Sequence, residues 1–147
     1  MVPEDEIFDR LFAKATLVRA NAYVPYSKFP VAACVLSESG EVFAGVNVDT
    51  ASFPETSCAE ANAIGAMILA GHRRVTAVFV LGGSQDDPGI VCTPCGGCRQ
   101  RLAEFISPDA PVYSCGPEGI RDESRFAHLL PKGFGPANLA DSEGISQ

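Results

Sequence analysis

Long apolar runs, basic clusters and usefully spaced histidines are all missing from this 147-residue chain, and each absence removes a class of function. No stretch approaches the ~18 consecutive apolar residues that a membrane-spanning helix needs, so no membrane partner is expected. The start, Met1-Val2-Pro3-Glu4-Asp5-Glu6, has neither the basic opening nor the apolar run of a secretory signal, which points to a cytoplasmic protein. Eleven Lys and Arg stand against eighteen Asp and Glu, for a net charge of −7, and the basic residues form no long cluster. Nucleic-acid binding draws on Lys and Arg at phosphates, so a small neutral molecule suits this chain better than DNA or RNA. His72 and His128 lack ligand spacing to either cysteine motif and read as surface or satisfied side chains. There is no internal repeat and no low-complexity linker.

What remains is a composition 46% hydrophobic, enough for a core of its own, in a length that fits a single domain over residues 1–147. Apolar spacing at Ile7, Leu11 and Val18, widened by Phe8, Phe12 and Ala15, predicts an amphipathic helix over residues 4–20. A loop follows from Asn21 to Phe29. Val31–Leu36 and Glu41–Val48, joined by Ser37-Glu38-Ser39-Gly40, read as a β-hairpin. Ala59–Ala70 is apolar nearly all round and predicts a buried helix ended by Gly71. Val75–Leu81 is a continuous apolar run, as in a strand buried on both faces. Gly82–Pro88 is a polar loop, and a shorter helix is expected from near Cys98 to Ile106, stopped by Ser107-Pro108. Pro111–Ser114 gives a fourth strand, Gly119–Asp122 a weakly patterned fifth, and the polar residues from Asp141 onward a frayed tail. These elements make an α/β domain layered around a mixed sheet.

The chemistry sits in two short motifs, Ser57-Cys58-Ala59-Glu60 at the start of the buried helix and Pro94-Cys95-Gly96-Gly97-Cys98-Arg99-Gln100 at the start of the next. Three thiolates bind zinc tightly and leave one tetrahedral position for water, the mark of a catalytic rather than a closed structural site. A helix N-terminus lowers a thiol's pKa and favours the thiolate. Cys-x-Glu spacing puts Glu60 beside the metal without making it a ligand, where it can move a proton from water of lowered pKa. Other readings compete at this point. Ser57-x-x-Glu60 is also a capping box, and Cys95-x-x-Cys98 alone is equally a redox pair or half a structural zinc site. Cys92-Thr93-Pro94-Cys95 is a rival Cys-x-x-Cys, made a poorer fit by its proline; Cys95 and Cys98 straddle glycines that let the backbone turn round a metal. Cys34 reads as packing, and Cys115 ends a strand without a partner motif.

With these motifs in place the chain, over about residues 20–139, resembles the small homotetrameric zinc-dependent cytidine deaminases, relatives of the blasticidin-S deaminases. The matching segments are Tyr26-Ser27-Lys28-Phe29, Gly45-Val46-Asn47-Val48-Asp49, Cys58-Ala59-Glu60, Pro94 to Gln100, and Leu129-Leu130-Pro131-Lys132-Gly133-Phe134-Gly135-Pro136. The resemblance implies a three-layer α/β/α fold on a central mixed five-stranded sheet. It also implies one zinc per subunit held by Cys58, Cys95 and Cys98, with Glu60 as proton shuttle. Phe29 and Ala59 would line the substrate pocket, with Phe29 against the pyrimidine; Asn47 and Asp49 would bind the sugar hydroxyls. Phe134 would stack on the base from a neighbouring subunit, Phe53 would approach the sugar across an interface, and Arg99 and Gln100 would support the site from behind.

The pattern also departs from the family. Asn47-Val48-Asp49-Thr50 stands where Asn-x-Glu-Asn is usual, Phe53 replaces a tyrosine, and Ala61 replaces an arginine that offsets thiolate charge, leaving that task to Arg99 or the helix N-termini. The implied reaction is hydrolytic deamination of cytidine or deoxycytidine. A modified cytosine nucleoside such as blasticidin S is the alternative substrate, and a structural zinc module or a disulfide oxidoreductase the alternatives of another class.

Overall fold

The computed structural model describes residues 4–139, and the expected tail from Asp141 lies outside the described residues. Five strands form one mixed sheet: β1 (Ala32–Ser37), β2 (Val42–Val46), β3 (Val75–Leu81), β4 (Pro111–Gly116) and β5 (Gly119–Arg125), in the order β2-β1-β3-β4-β5. β1 is antiparallel to both β2 and β3, with Cys34 opposite Phe79 across the β1–β3 pair. β3 and β4 run parallel, Val78 opposite Val112, and β5 returns antiparallel at the edge.

Side-chain alternation sorts the sheet's two faces. Ala32, Cys34, Leu36, Phe79 and Tyr113 point to α1 (Glu4–Arg19), where Leu11 and Ala15 are fully buried. Phe8 and Phe12 complete that layer by packing their rings against Phe79. Ala33, Val35, Val78, Val80 and Val112 point the other way, onto α2 (Ala59–Leu69) and α3 (Gly96–Ala103) through Ala63, Met67 and Leu102. The result is the expected three-layer α/β/α arrangement. A strand buried on both faces reads as unbroken hydrophobicity, and β3 coincides with the predicted Val75–Leu81.

Most boundaries fall within two residues of the sequence expectation, and three of the differences bear on the site or the sheet edge. β5 extends to Arg125 through the polar run Arg121–Arg125, because an edge strand needs little apolar surface. α3 starts at Gly96, capped by Cys95, and its regular part ends at Ala103 rather than Ile106. β2 stops at Val46, after which the chain leaves the sheet and sends Asn47 and Asp49 toward the loop that precedes β1. A four-residue helix, α4 (Phe126–Leu129), closes the far edge. Among the described residues no helix is long and apolar enough to cross a membrane.

Candidate active site

Cys58 is the N-cap residue of α2 and Cys95 that of α3, both in extended backbone with no side-chain capping bond. Their sulfurs lie 3.8 Å apart. Cys98 follows in the first turn of α3, and the three Sγ atoms all fall within 4.8 Å of one another. Tetrahedral zinc with Zn–S bonds of about 2.3 Å sets its sulfurs about 3.8 Å apart. The donor set, its soft sulfurs and its spacing therefore fit one zinc ion. Among the described residues this is the only group of three or more His, Cys, Asp or Glu side chains so gathered; neither His72 nor His128 belongs to it.

The electrostatics of the thiol cluster explain why a dication belongs there. Burial pushes the Cys58 thiol up, and the neighbouring Cys95 charge adds to it. Cys98 is raised by burial and then by the Glu60 carboxylate, which is hydrogen-bonded to its sulfur. Burial opposes the Cys95 thiolate as well, but the Cys98 N–H and the adjoining thiols donate to it and lower its pKa on balance. Three thiolates and a carboxylate repel one another until a divalent cation joins them, and both helix N-termini already point positive potential at the same spot. Glu60 itself is buried at 4% exposure, in the first turn of α2 and directed at the cluster.

The capping-box alternative does not survive. Cys58, not Ser57, is the cap, and the Ser57 hydroxyl instead accepts from Asn62 Nδ2 at 3.1 Å, an amide that also donates to Val46 O at 2.7 Å. Asn62 thus ties the start of α2 to the end of β2, a contact that nothing in the local sequence announces. Ala59 is buried beneath, with Gly45 on β2 lying directly against its backbone.

Arg99 stands elsewhere than at the thiolates it was expected to offset. It donates to Pro94 O at 2.8 Å, Leu129 O at 2.9 Å and Thr93 Oγ1 at 3.2 Å, so it braces the loop that delivers Cys95. Gln100 donates to Phe134 O at 2.8 Å and holds the C-terminal segment on α3.

Cys92 is not part of the metal group but lies close by, its pKa raised to about 11 by burial and by the charge of Glu60. It occupies the space that Gly82 leaves open, where an added Cβ would meet its sulfur at 2.5 Å and the Phe29 ring at 3.5 Å. Cys92 and the Phe29 ring therefore both approach the bare face of Gly82. The loop between Gly82 and Cys92 is held from outside: Arg19 donates to Gly83 O, and Arg121, paired with Glu118, donates to Ser84 O and Ile90 O.

Asn47 and Asp49 both face the loop that carries Phe29. Asn47 donates to Phe29 O at 2.8 Å and accepts from Val31 N at 2.9 Å. Asp49 is buried and accepts from Ser27 N at 2.8 Å; that N–H is the main cause holding its carboxyl below the ordinary aspartate range. Phe53 and Phe134 are 70% and 58% exposed, far more than a core role allows. Phe53 lies 6.0 Å ring to ring from Tyr26, and Phe134 lines a hollow with Ala103, Phe126 and Leu130.

Comparison with known proteins agrees with this geometry. Residues 6–114 match the family model of the cytidine and deoxycytidylate deaminase zinc-binding region. The chain is 39% identical to a cytidine deaminase of Sporosarcina psychrophila over 90% of its own length and 94% of the relative's. It is 36% identical to a cytidine deaminase of Mycobacterium tuberculosis, covering 92% and 95% of the two chains. Among solved structures, the cytidine deaminase of Burkholderia pseudomallei superposes with a TM-score of 0.77 at 34% identity, over 86% of this chain and 98% of that one. The cysteine cluster, the two helix starts that carry it and these matches place the chain in the cytidine and deoxycytidylate deaminase family of zinc-binding proteins.

Proposed function

We propose that the protein hydrolyses the exocyclic amine of cytidine and deoxycytidine, taking up water and releasing the uridine form and ammonia. The observation that carries this is the set of three sulfurs at two helix starts, spaced for one zinc, with the buried Glu60 carboxylate against them. Cys58, Cys95 and Cys98 would hold the zinc, which would supply Lewis acidity and lower the pKa of water to ~7. Glu60 accepts one proton from the attacking water and delivers it to ring N3; it then takes the remaining proton from the new C4 hydroxyl and delivers it to the amine, which leaves as ammonia while the C4 carbonyl forms. Rate comes from holding the tetrahedral carbon more strongly than the planar ring.

Phe29 stands against the pyrimidine, and Ala59, beside Cys58, lines the floor of the pocket. Asn47 and Asp49 lie at the sugar end. The exposed rings of Phe53 and Phe134 suit a homotetramer in which each enters or borders a neighbour's site. Six free thiols and no disulfide fit the reducing cytoplasm. A second reading, a cytosine nucleoside with an altered sugar such as blasticidin S, is favoured by one observation: the Asp49 carboxylate is already engaged by Ser27.

The deciding experiment follows the fall in ultraviolet absorbance for cytidine, deoxycytidine, blasticidin S and free cytosine, with zinc quantified in the same sample. Turnover of the two plain nucleosides at one zinc per subunit is expected. A folded, zinc-loaded protein inert toward every cytosine compound would end the proposal.

A further inference from the structure

We propose that Arg121, on the edge strand β5, is a positioning residue for the metal site: it locks the loop that delivers Cys95 and so governs how long zinc stays bound. This rests on the zinc-dependent deaminase function proposed above. Arg121 stands among polar neighbours at the rim of the sheet, yet its side chain is only 4% exposed. Glu118 accepts from its Nε at 2.6 Å and its Nη2 at 3.1 Å, which fixes the plane of the guanidinium. The other edge of that plane donates to Ser84 O at 2.6 Å and to Ile90 O at 2.8 Å. Two glycines make room for it. A Cβ at Gly116 would stand 2.2 Å from Nε and 2.3 Å from Cζ, and one at Gly83 would stand 2.8 Å from Nη1. A charge covered this far is tolerated because its donors are matched.

The carbonyls that Arg121 joins belong to the two limbs of one loop, just outside the contact between Cys92 and the bare face of Gly82. The guanidinium therefore closes the neck of that loop. From Cys92 the chain reaches Cys95 through Thr93 and Pro94, both of which Arg99 grips. Two arginines from different elements thus pin the segment before Cys95, one upstream of Cys92 and one downstream. Of the three sulfur ligands Cys95 is the exposed one, whereas Cys98 is buried and Cys58 half-buried. An ion held by several bonds leaves by losing them one at a time, and the ligand that water and competing ligands reach first is the one on this loop. A neck that opens gives Cys95 room to swing; a closed neck returns it to the metal.

The test follows zinc release from the loaded protein into an excess of chromophoric chelator, together with amide hydrogen exchange. Arg121→Leu is expected to speed release ~10-fold or more, as when the support of a metal ligand is lost. Gly116→Ala keeps the arginine but sets a methyl against its Nε and Cζ, and should quicken release as much. Combined with Arg121→Leu it should add nothing, since both act through the same side chain. Arg121→Lys should rescue little, because one ammonium cannot span Ser84 O and Ile90 O. Turnover per bound zinc should stay within about threefold and KM for cytidine within about twofold, because the groups proposed to touch the nucleoside are left in place. The Asp87 and Ile90 amides, bonded inside the loop to Ser84 O and Asp87 O, should exchange faster while those of β3 do not. Release at the wild-type rate in Arg121→Leu or Gly116→Ala, or faster release accompanied by faster exchange throughout β3, overturns the proposal. Should Arg121→Leu fail to fold, Gly116→Ala decides alone. A wild-type protein that holds zinc but turns over no cytosine nucleoside would fail the proposed function alone, and release and exchange would still decide the role of Arg121.

Discussion

Gly45 and Ala59 meet backbone to backbone: a Cβ on the glycine would stand 2.4 Å from the Ala59 carbonyl oxygen and 2.4 Å from the Ala63 amide nitrogen. This approach sets the height of α2 above the sheet and so the position of Cys58 and Glu60. Gly45→Ala is expected to destabilise the fold by about 1–3 kcal/mol, the usual range for forced overpacking, and to reduce zinc content at limiting metal. Urea denaturation with a metal assay checks both; a variant as stable and as zinc-loaded as the parent would contradict the close approach.

Glu60→Gln keeps the size and burial of the side chain but removes its capacity to take a proton. It should retain one zinc per subunit and lose at least ~10²–10⁴ in kcat, the usual contribution of a positioned general acid–base group. Metal analysis alongside steady-state kinetics separates this outcome from loss of the metal itself.

Arg99 acts through the loop it braces. Replacing it with leucine leaves Pro94 O and Leu129 O without their donor, about 1–3 kcal/mol where such a group stays buried. Zinc affinity should fall by ~10–100-fold, as when the supports of metal ligands are removed. Lysine should rescue poorly, because a single ammonium cannot reach the three acceptors that the planar guanidinium spans. Competition with a chromophoric chelator measures the affinity.

Stability should decline toward alkaline pH. Burial raises Cys34 and Cys115 to about 12 and Cys92 to about 11, from 9 in the open chain. The folded state then binds more protons than the unfolded one above pH 9, and stability falls as pH rises. The stabilisation is complete below pH 9 and lost toward pH 12. Circular dichroism against pH should show this decline, and Cys34→Ala with Cys115→Ala should flatten it.

How much was readable in advance depended on how local each determinant is. Val75–Leu81 declares a central strand because both its faces are buried, whereas β5, with Asp122, Glu123 and Arg125 facing water, carries only a faint period. The three cysteines and Glu60 are legible because each motif sits within one helix turn and the chemistry dictates its spacing. The same short window also offers a capping box at Ser57, but the cap falls one residue later because Cys58 takes the extended backbone of the helix start. Asp49 and Ser27 are 22 residues apart and Arg99 and Leu129 are 30 apart, so nothing short-range joins them. Their pairing exists only once β2 has turned its exit toward the loop before β1, and once α3 has docked beside α4. Cys92, dismissed as a ligand, comes to line the site because Gly82 has no side chain to keep it out.

Cys58 and Cys95 are 37 residues apart and belong to different helices. An ion that grips both is a cross-link between α2 and α3, available only to molecules in which the two helices have come to rest on the same face of the sheet. A ligand that binds the native state alone deepens that state by RT ln(1 + [L]/Kd), ~4 kcal/mol at a thousandfold excess over Kd. Cellular zinc supply thereby sets how long each molecule persists as well as whether it can react, and scarcity of the metal would be felt first as a shortage of folded protein.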